Sequence, residues 1–324
     1  MNRRCAVALA GLLATAFIFA PARAQGDYPA KPVKIIVPFP PGGTSDVMGR
    51  LIAEELGKQF NQTFIVDNKG GAGGAIGTDQ AAKAPADGYT LLLSGIGSNA
   101  VIHGFASPKP NYTEADFVHI SQLAAGPNVL VVHPSFPAKT FKEFVAWVKA
   151  NPGKFSYGQV SASSGHLTTE YLKQTAGLDM VGIPYKGGGP ALSDVLANQI
   201  PGMFTNQDAV LPHVKSGKVR ALVVTSVERN PLYPDVPTVA ESGYPGFTAV
   251  SWTGLSAPKG TPKAIVDKLE AAMIKAFSDP ATRAKLEATG FVVVASKSAD
   301  YTRFVNNEVA RWTQVIRAGG LKSE

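Results

Sequence analysis

The sequence predicts an α/β protein of two domains arranged around a cleft, on three observations. Short apolar runs alternate with helix-period segments along nearly the whole chain, the pattern of strands covered by helices. The length of 324 residues corresponds to about two domains at ~150 residues each. Two turn-rich segments, Gly126-Pro127 and the proline-rich stretch 233–247 (YPDVPTVAESGYPGF), read as crossings between domains. A chain that leaves one domain near 126 and returns near 247 builds domain 1 from 25–126 plus 247–324 and domain 2 from 127–246. Two crossings set a cleft between the domains, which is a hinge architecture.

The elements follow in order. VKIIVP at 33–38 is a buried strand, followed by a turn at 39–43 and a helix over 45–60. Strands at 63–66 and 89–94 flank a helix over 74–83, and NVLVVH at 128–133 is another strand. Phe141, Phe144, Val145 and Val148 recur at i, i+3, i+4 and i+7, which predicts an amphipathic helix over 141–150. Strands at 155–157, 180–183, 203–204 and 219–225 then alternate with helices at 166–175, 190–198 and 209–216. The last quarter reads as helices at 262–277, 280–289 and 299–317 with a strand at 291–295. Parallel or mixed sheets follow from this order.

The first residues stand apart. Asn2-Arg3-Arg4 precedes an uncharged apolar run at 6–20, and Ala22-Arg23-Ala24 places small residues where a signal peptidase cuts. The run is short for a bilayer span, so a signal peptide removed near Ala24 is expected. Its removal takes three arginines and no acid from a chain of 31 basic and 24 acidic residues, leaving a net +4 instead of +7. It also takes Cys5, the one cysteine. A cysteine-free exported chain suits an oxidising periplasm and excludes disulfide frameworks and cysteine-based metal sites. The charged fraction of 17% is low for a coiled coil or a disordered chain. The basic residues form no patch, which argues against a nucleic-acid partner.

Glycine-rich loops carry the chemistry. Phe39-Pro40-Pro41-Gly42-Gly43-Thr44-Ser45-Asp46 joins a buried strand to a helix, with Thr44 or Ser45 as the expected N-cap. Free amides and the helix dipole at such an end suit a carboxylate or phosphate. KGGAGGAIG at 69–77 superficially suggests a dinucleotide loop, but the acid expected about 20 residues on is missing, so tight helix–strand packing explains it better. SGIGSN at 94–99, SASSG at 161–165 and KGGG at 186–189 repeat the theme in both putative domains. Together they can converge on one anion.

Catalytic patterns are sparse. The five histidines lack metal-ligand spacing, Gly-x-Ser-x-Gly is absent, and Glu54-Glu55 reads as solvated. Ser164 and His166 are close in sequence, so a secreted hydrolase stays as an alternative, beside a sensory binding protein feeding a kinase. Phe39, Phe204 and Trp252 are candidates for an apolar ligand surface.

Several motifs resemble one family. They are Tyr28-Pro-x-Lys31-Pro-x-Lys-Ile-Ile-Val-Pro38-Phe-x-Pro-Gly-Gly-x-x-Asp46, Asn68-x-x-Gly-Ala-Gly-Gly74, Asp87-Gly-Tyr-Thr-Leu-Leu92, Pro184-Tyr-Lys-Gly187 and Gly217-Lys-x-Arg-Ala-Leu222. Pro234-Asp-Val-Pro-Thr238-x-Ala-Glu-x-Gly243 and Trp252-x-Gly-Leu-x-Ala-Pro258-x-Gly-Thr-Pro262 complete the series. In order and jointly, they resemble the substrate-binding receptors of tripartite tricarboxylate transporters, the TctC or Bug family. The resemblance implies a type II periplasmic binding-protein fold, α/β, closing on a small di-, tri- or aromatic carboxylate. It further implies a monomer that delivers this ligand to a two-component membrane permease, without catalysis, cofactor or metal. Carried over by position, the ligand-binding residues are Phe39, Pro41, Gly42, Gly43, Thr44, Asp46, Gly95 and Ser98 from domain 1. Domain 2 supplies Ser161, Ser163, Ser164, His166, Thr169, Lys186, Gly187, Gly188, Thr205, Asn206 and Asp208. Relatives often carry Asp after the phenylalanine where this chain has Thr205, and the 161–165 loop has fewer glycines than expected. Loss of that acid favours a ligand without an amino group.

Overall fold

Strand β1 (Val33–Val37) alternates its contacts across the sheet, and that alternation explains the layers. Ile35 and Val37 face a cluster with Met48, Ile52 and Leu56 of helix α1 (Thr44–Phe60), whereas Ile36 faces the opposite cluster. A strand covered on both faces reads as an unbroken apolar run because neither face meets water. The computed structural model describes residues 28–105 and 109–318; the candidate signal peptide, 1–24, lies outside them.

After α1 come β2 (Phe64–Asn68), α2 (Ala75–Ala82) and β3 (Thr90–Gly95), which runs into a π-helical turn at Ile96–Val101 and the short α3 (Ile102–Phe105). β4 (Phe117–Val132) is followed by α4 (Phe141–Ala150), β5 (Ser156–Val160), α5 (Ser164–Ala176), β6 (Val181–Tyr185) and α6 (Gly188–Leu196). Then come β7 (Gly202–Asn206), α7 (Gln207–Lys215), β8 (Arg220–Val224) and β9 (Val250–Pro258). The chain closes with α8 (Lys263–Ser278), α9 (Pro280–Glu287), β10 (Val292–Val293) and α10 (Ser298–Ala318).

The strands order as β2-β1-β3-β9-β4-β7-β5-β6, with β8 and β10 also paired to β4. β1 is parallel to β2 and β3, and β5 is parallel to β6 and β7. β9 runs antiparallel to both β3 and β4, so the sheet is mixed. β4 is the common member: its first part pairs β9 from Phe117↔Pro258 to Pro127↔Val250, and its last residues, from Asn128, pair β7 and β8. Within that last part Leu130 and Val132 face α4 and α5, while Val129 and Val131 face α6 and α7. Each half of the sheet therefore carries its own two helical layers. At the other end of the fold, α10 buries Tyr301, Val305, Trp312 and Ile316, spaced one or two helical turns apart on one face, against β4 and the π-helical turn.

Local chemistry sets the helix ends. Thr140 accepts from the Glu143 amide to start α4, and Asp279 accepts from the Ala281 and Thr282 amides to start α9, with Pro280 at its first position. Gly177, in the left-handed region, ends α5.

Three expectations are corrected. β4 begins at Phe117 rather than 128, and β9 was not anticipated at all. Both carry buried polar residues where hydropathy expects apolar ones: His119, Ser121 and Gln122 in β4, and Ser251, Thr253 and Ser256 in β9. Several pair with each other instead of water. The His119 ring nitrogen Nδ1 lies 2.8 Å from Ser256 Oγ, which donates at 2.8 Å to Ser94 Oγ. Third, only Glu54 of the Glu54-Glu55 pair is solvated. Glu55 is buried, and Lys58 Nζ donates to Glu54 at 2.6 Å and to Glu55 at 2.8 Å.

Candidate functional site

The loops that leave β1, β3, β5, β6 and β7 at their C-terminal ends open onto one cavity of 720 Å³. This edge of an α/β sheet is where ligands usually bind, because strand ends and helix starts leave free backbone groups there. Four helices begin at the wall. Gly43 caps α1, Ser163 caps α5, Gly187 caps α6 and Asn206 caps α7. Only Ser163 spends its side chain on the cap, accepting from the His166 amide at 3.2 Å. At α1, α6 and α7 no side chain caps the helix, so backbone donors and three positive dipole ends face the cavity.

The first loop is held from behind. Asp46 Oδ2 accepts from the Gly42 amide at 3.0 Å and from Arg50 Nε at 3.1 Å, and Asn68 Nδ2 donates to the Phe39 carbonyl at 3.1 Å. Burial alone pushes the Asp46 carboxyl up, but the Arg50 and Gly42 donors outweigh it and hold it below the usual carboxylate range. Gly42 has φ +86°, a conformation glycine adopts without strain. The N-cap is Gly43 rather than Thr44 or Ser45, because the helix starts one residue earlier than a hydroxyl cap requires. That frees the Thr44 hydroxyl, which crosses the cavity to donate to both Asp208 oxygens, at 2.9 and 3.1 Å.

The second loop is braced by Asn99, whose Oδ1 accepts from the Gly95 amide at 3.1 Å and the Ser98 hydroxyl at 2.7 Å. Tyr112 secures it further by donating to the Ser98 carbonyl at 2.9 Å. Across the cavity, Ser164 Oγ lies 3.0 Å from both the Asn128 and Asn206 side-chain oxygens.

Of the residues expected to bind ligand, Phe39, Pro41, Gly42, Gly43, Thr44, Gly95, Ser98, Ser163, Ser164, Lys186, Gly187, Gly188, Thr205, Asn206 and Asp208 line the cavity together. Asp46, Ser161, His166 and Thr169 do not. Asp46 braces the loop, Ser161 is exposed, and Thr169 donates to the Gly165 carbonyl at 2.8 Å within α5. His166 is buried in the first turn of α5, and burial lowers its pKa from 6.5 to about 4. Phe39, Phe204 and Trp252 all reach the lining. Sequence reasoning missed Leu93, Val160, Leu192 and Met203, which look like core residues in any hydropathy profile, and Ser251 and Thr253 of the unanticipated β9. Among the described residues the charged ones lining the cavity are Lys186 and Asp208, so an acid remains there although position 205 is threonine.

The glycines at 69–77 are packing residues. A Cβ at Gly77 would lie 2.5 Å from the Lys69 carbonyl oxygen, and one at Gly73 would lie 2.8 Å from Ala162 Cβ on the opposite wall. Among the described residues no three His, Cys, Asp or Glu side chains are grouped to hold a metal, and no helix is long and apolar enough to cross a membrane.

A mixed α/β sheet in two doubly covered halves, with uncapped helix starts meeting at a cavity, is the build of a periplasmic binding protein. Known structures agree: an R. palustris protein with adipate matches at 33% identity and TM-score 0.87, over 91% of this chain and 100% of that one. The periplasmic binding protein BugD matches at 34% identity and TM-score 0.85, over 92% and 100%. Residues 48–321 match the tripartite tricarboxylate transporter family receptor, TctC. Protein BugT of Bordetella pertussis is 40% identical over 99% of both chains. The chain belongs to the TctC/Bug family of tripartite tricarboxylate transporter receptors, which are solute-binding proteins and not enzymes.

Proposed function

We propose that this receptor captures a small carboxylate, dicarboxylate, tricarboxylate or aromatic, in the periplasm and passes it to a two-component membrane permease. The observation that carries this reading is the meeting of three helix N-termini without side-chain caps at one cavity. Those donors favour an anion, at α1 and α6 with no acidic side chain lining the cavity at the same helix start. The apolar lining, with Phe39, Phe204 and Trp252, suits the carbon skeleton. A relative's structure with adipate supports the same ligand class.

In this reading the chain works as a monomer after loss of a signal peptide ending near Ala24. Domain 1 (25–126 with 247–324) and domain 2 (127–246) close by bending where β4 and β9 pass between them. The cavity-lining residues named above grip the ligand, with Asp46 positioning the first loop. Thermal-shift measurements on the purified protein with di-, tri- and aromatic carboxylates test the proposal. A ligand at 100 times its Kd stabilises the folded state by about 2.7 kcal/mol, a shift of several degrees. If no carboxylate in the panel moves the melting temperature, the ligand class is wrong.

A further inference from the structure

Among the described residues, Lys186 and Asp208 are the two charged side chains lining the cavity, and no arginine lines it. Lys186 is exposed at the rim, whereas Asp208 lies in the first turn of α7 and reaches across to α1. Its carboxylate accepts from Thr44 Oγ1, which reaches both oxygens, at 2.9 and 3.1 Å. An ionised carboxylate has about four acceptor positions, so one hydroxyl donor leaves acceptor capacity for whatever fills the cavity. No cation among the described residues pairs with Asp208, and burial raises its pKa.

Resting on the receptor reading, we infer that Asp208 is a specificity-determining residue that selects carboxylates also bearing a hydrogen-bond donor, a hydroxyl or ammonium group, over equally long dicarboxylates without one. A donor on the ligand fills an open acceptor position and compensates a poorly solvated charge. A second ligand carboxylate meets Asp208 as a like charge, with only Lys186 to offset two anions. The Thr205 position argued for ligands without an amino group; Asp208, three residues later, reverses that argument because it supplies the acid at the same wall.

Calorimetry with matched pairs tests this: succinate against malate and aspartate, adipate against 2-aminoadipate, and benzoate against 4-hydroxybenzoate. In each skeleton that binds, the donor-bearing member should be about tenfold tighter, equivalent to ~1.4 kcal/mol. Asp208→Asn keeps the shape and removes the charge, and should narrow that ratio to about threefold or less, chiefly by improving the plain dicarboxylates. Thr44→Val should weaken both members of a pair alike, because it removes the bond across the cavity and leaves the acceptor. Even where Asp208→Asn folds poorly, the wild-type ratios and Thr44→Val stand as tests. Tighter binding of succinate and adipate than of their donor-bearing partners, or an unchanged ratio in Asp208→Asn, overturns the inference and leaves the receptor reading intact. Absence of binding by every acid in the series overturns both.

Discussion

Asp46 and His166 were both expected to touch ligand, and both stand behind the wall, with different consequences. Asp46 ties the Gly42 amide to Arg50, so Asp46→Ala should loosen the loop and cost about tenfold in ligand affinity, roughly 1.4 kcal/mol. Gly43→Val should weaken binding as much by another route: a Cβ there meets nothing within 4 Å, so valine fits the fold but projects beside the free amides. Calorimetry should show both losses while circular dichroism shows the fold retained; unchanged affinity in both variants would remove this loop from the site. His166 affects stability. Its pKa is lowered from 6.5 to about 4, so the unfolded chain binds a proton there that the folded chain refuses. Stability is therefore lost as pH falls from about 6.5 to 4, by about 3 kcal/mol at most. His166→Gln should flatten the dependence of melting temperature on pH across that window.

At the scale of elements, what the sequence disclosed depended on how each element buries its residues. β1 and β3 announce themselves because both faces are apolar, with Ile35, Ile36, Leu91 and Leu92 in succession. α4 does so through Phe141, Phe144 and Val148 on one stripe. The 233–247 stretch forms neither helix nor strand, as its prolines suggested. β9 and the first part of β4 escaped notice because serine, threonine, histidine and glutamine are buried there in a hydrogen-bonded seam that periodicity cannot detect. The candidate site was legible to a greater degree, since turns rich in glycine and proline mark strand-to-helix junctions. Its apolar floor was not, because Leu93 and Met203 differ from core residues only in facing a cavity. The hidden seam is also intolerant of bulk. A Cβ at Gly254 of β9 would lie 2.6 Å from the Ser121 carbonyl oxygen and 2.5 Å from the Tyr301 ring. Gly254→Ala should therefore destabilise the protein by about 1–3 kcal/mol in denaturant titration. A change under about 0.5 kcal/mol would show that the two strands can part locally.

For the whole molecule, the central matter is how the two halves of the sheet meet around the cavity. Gly97, on the β3 side, approaches Ala162 on the β5 side so closely that a Cβ would sit 2.3 Å from the Ala162 carbonyl oxygen. Gly97→Ala should act as a wedge, lowering carboxylate affinity about tenfold, or ~1.4 kcal/mol, with the ligand-free melting temperature nearly unchanged. Small-angle scattering should then show a smaller ligand-induced compaction than in wild type; full compaction would show that the halves need not touch there. The β4–β9 pair adds a mechanical consequence. Pro127 and Val250 are register partners, so the outgoing and returning chains are not two slack tethers but neighbouring rails of one ladder. Such a ribbon resists stretching and shearing, which would break its rungs, yet two-stranded ribbons accommodate wide ranges of twist. In the closure proposed above, opening amounts to winding and unwinding a torsion bar: one soft coordinate, with the jaws returning to the same alignment after each cycle.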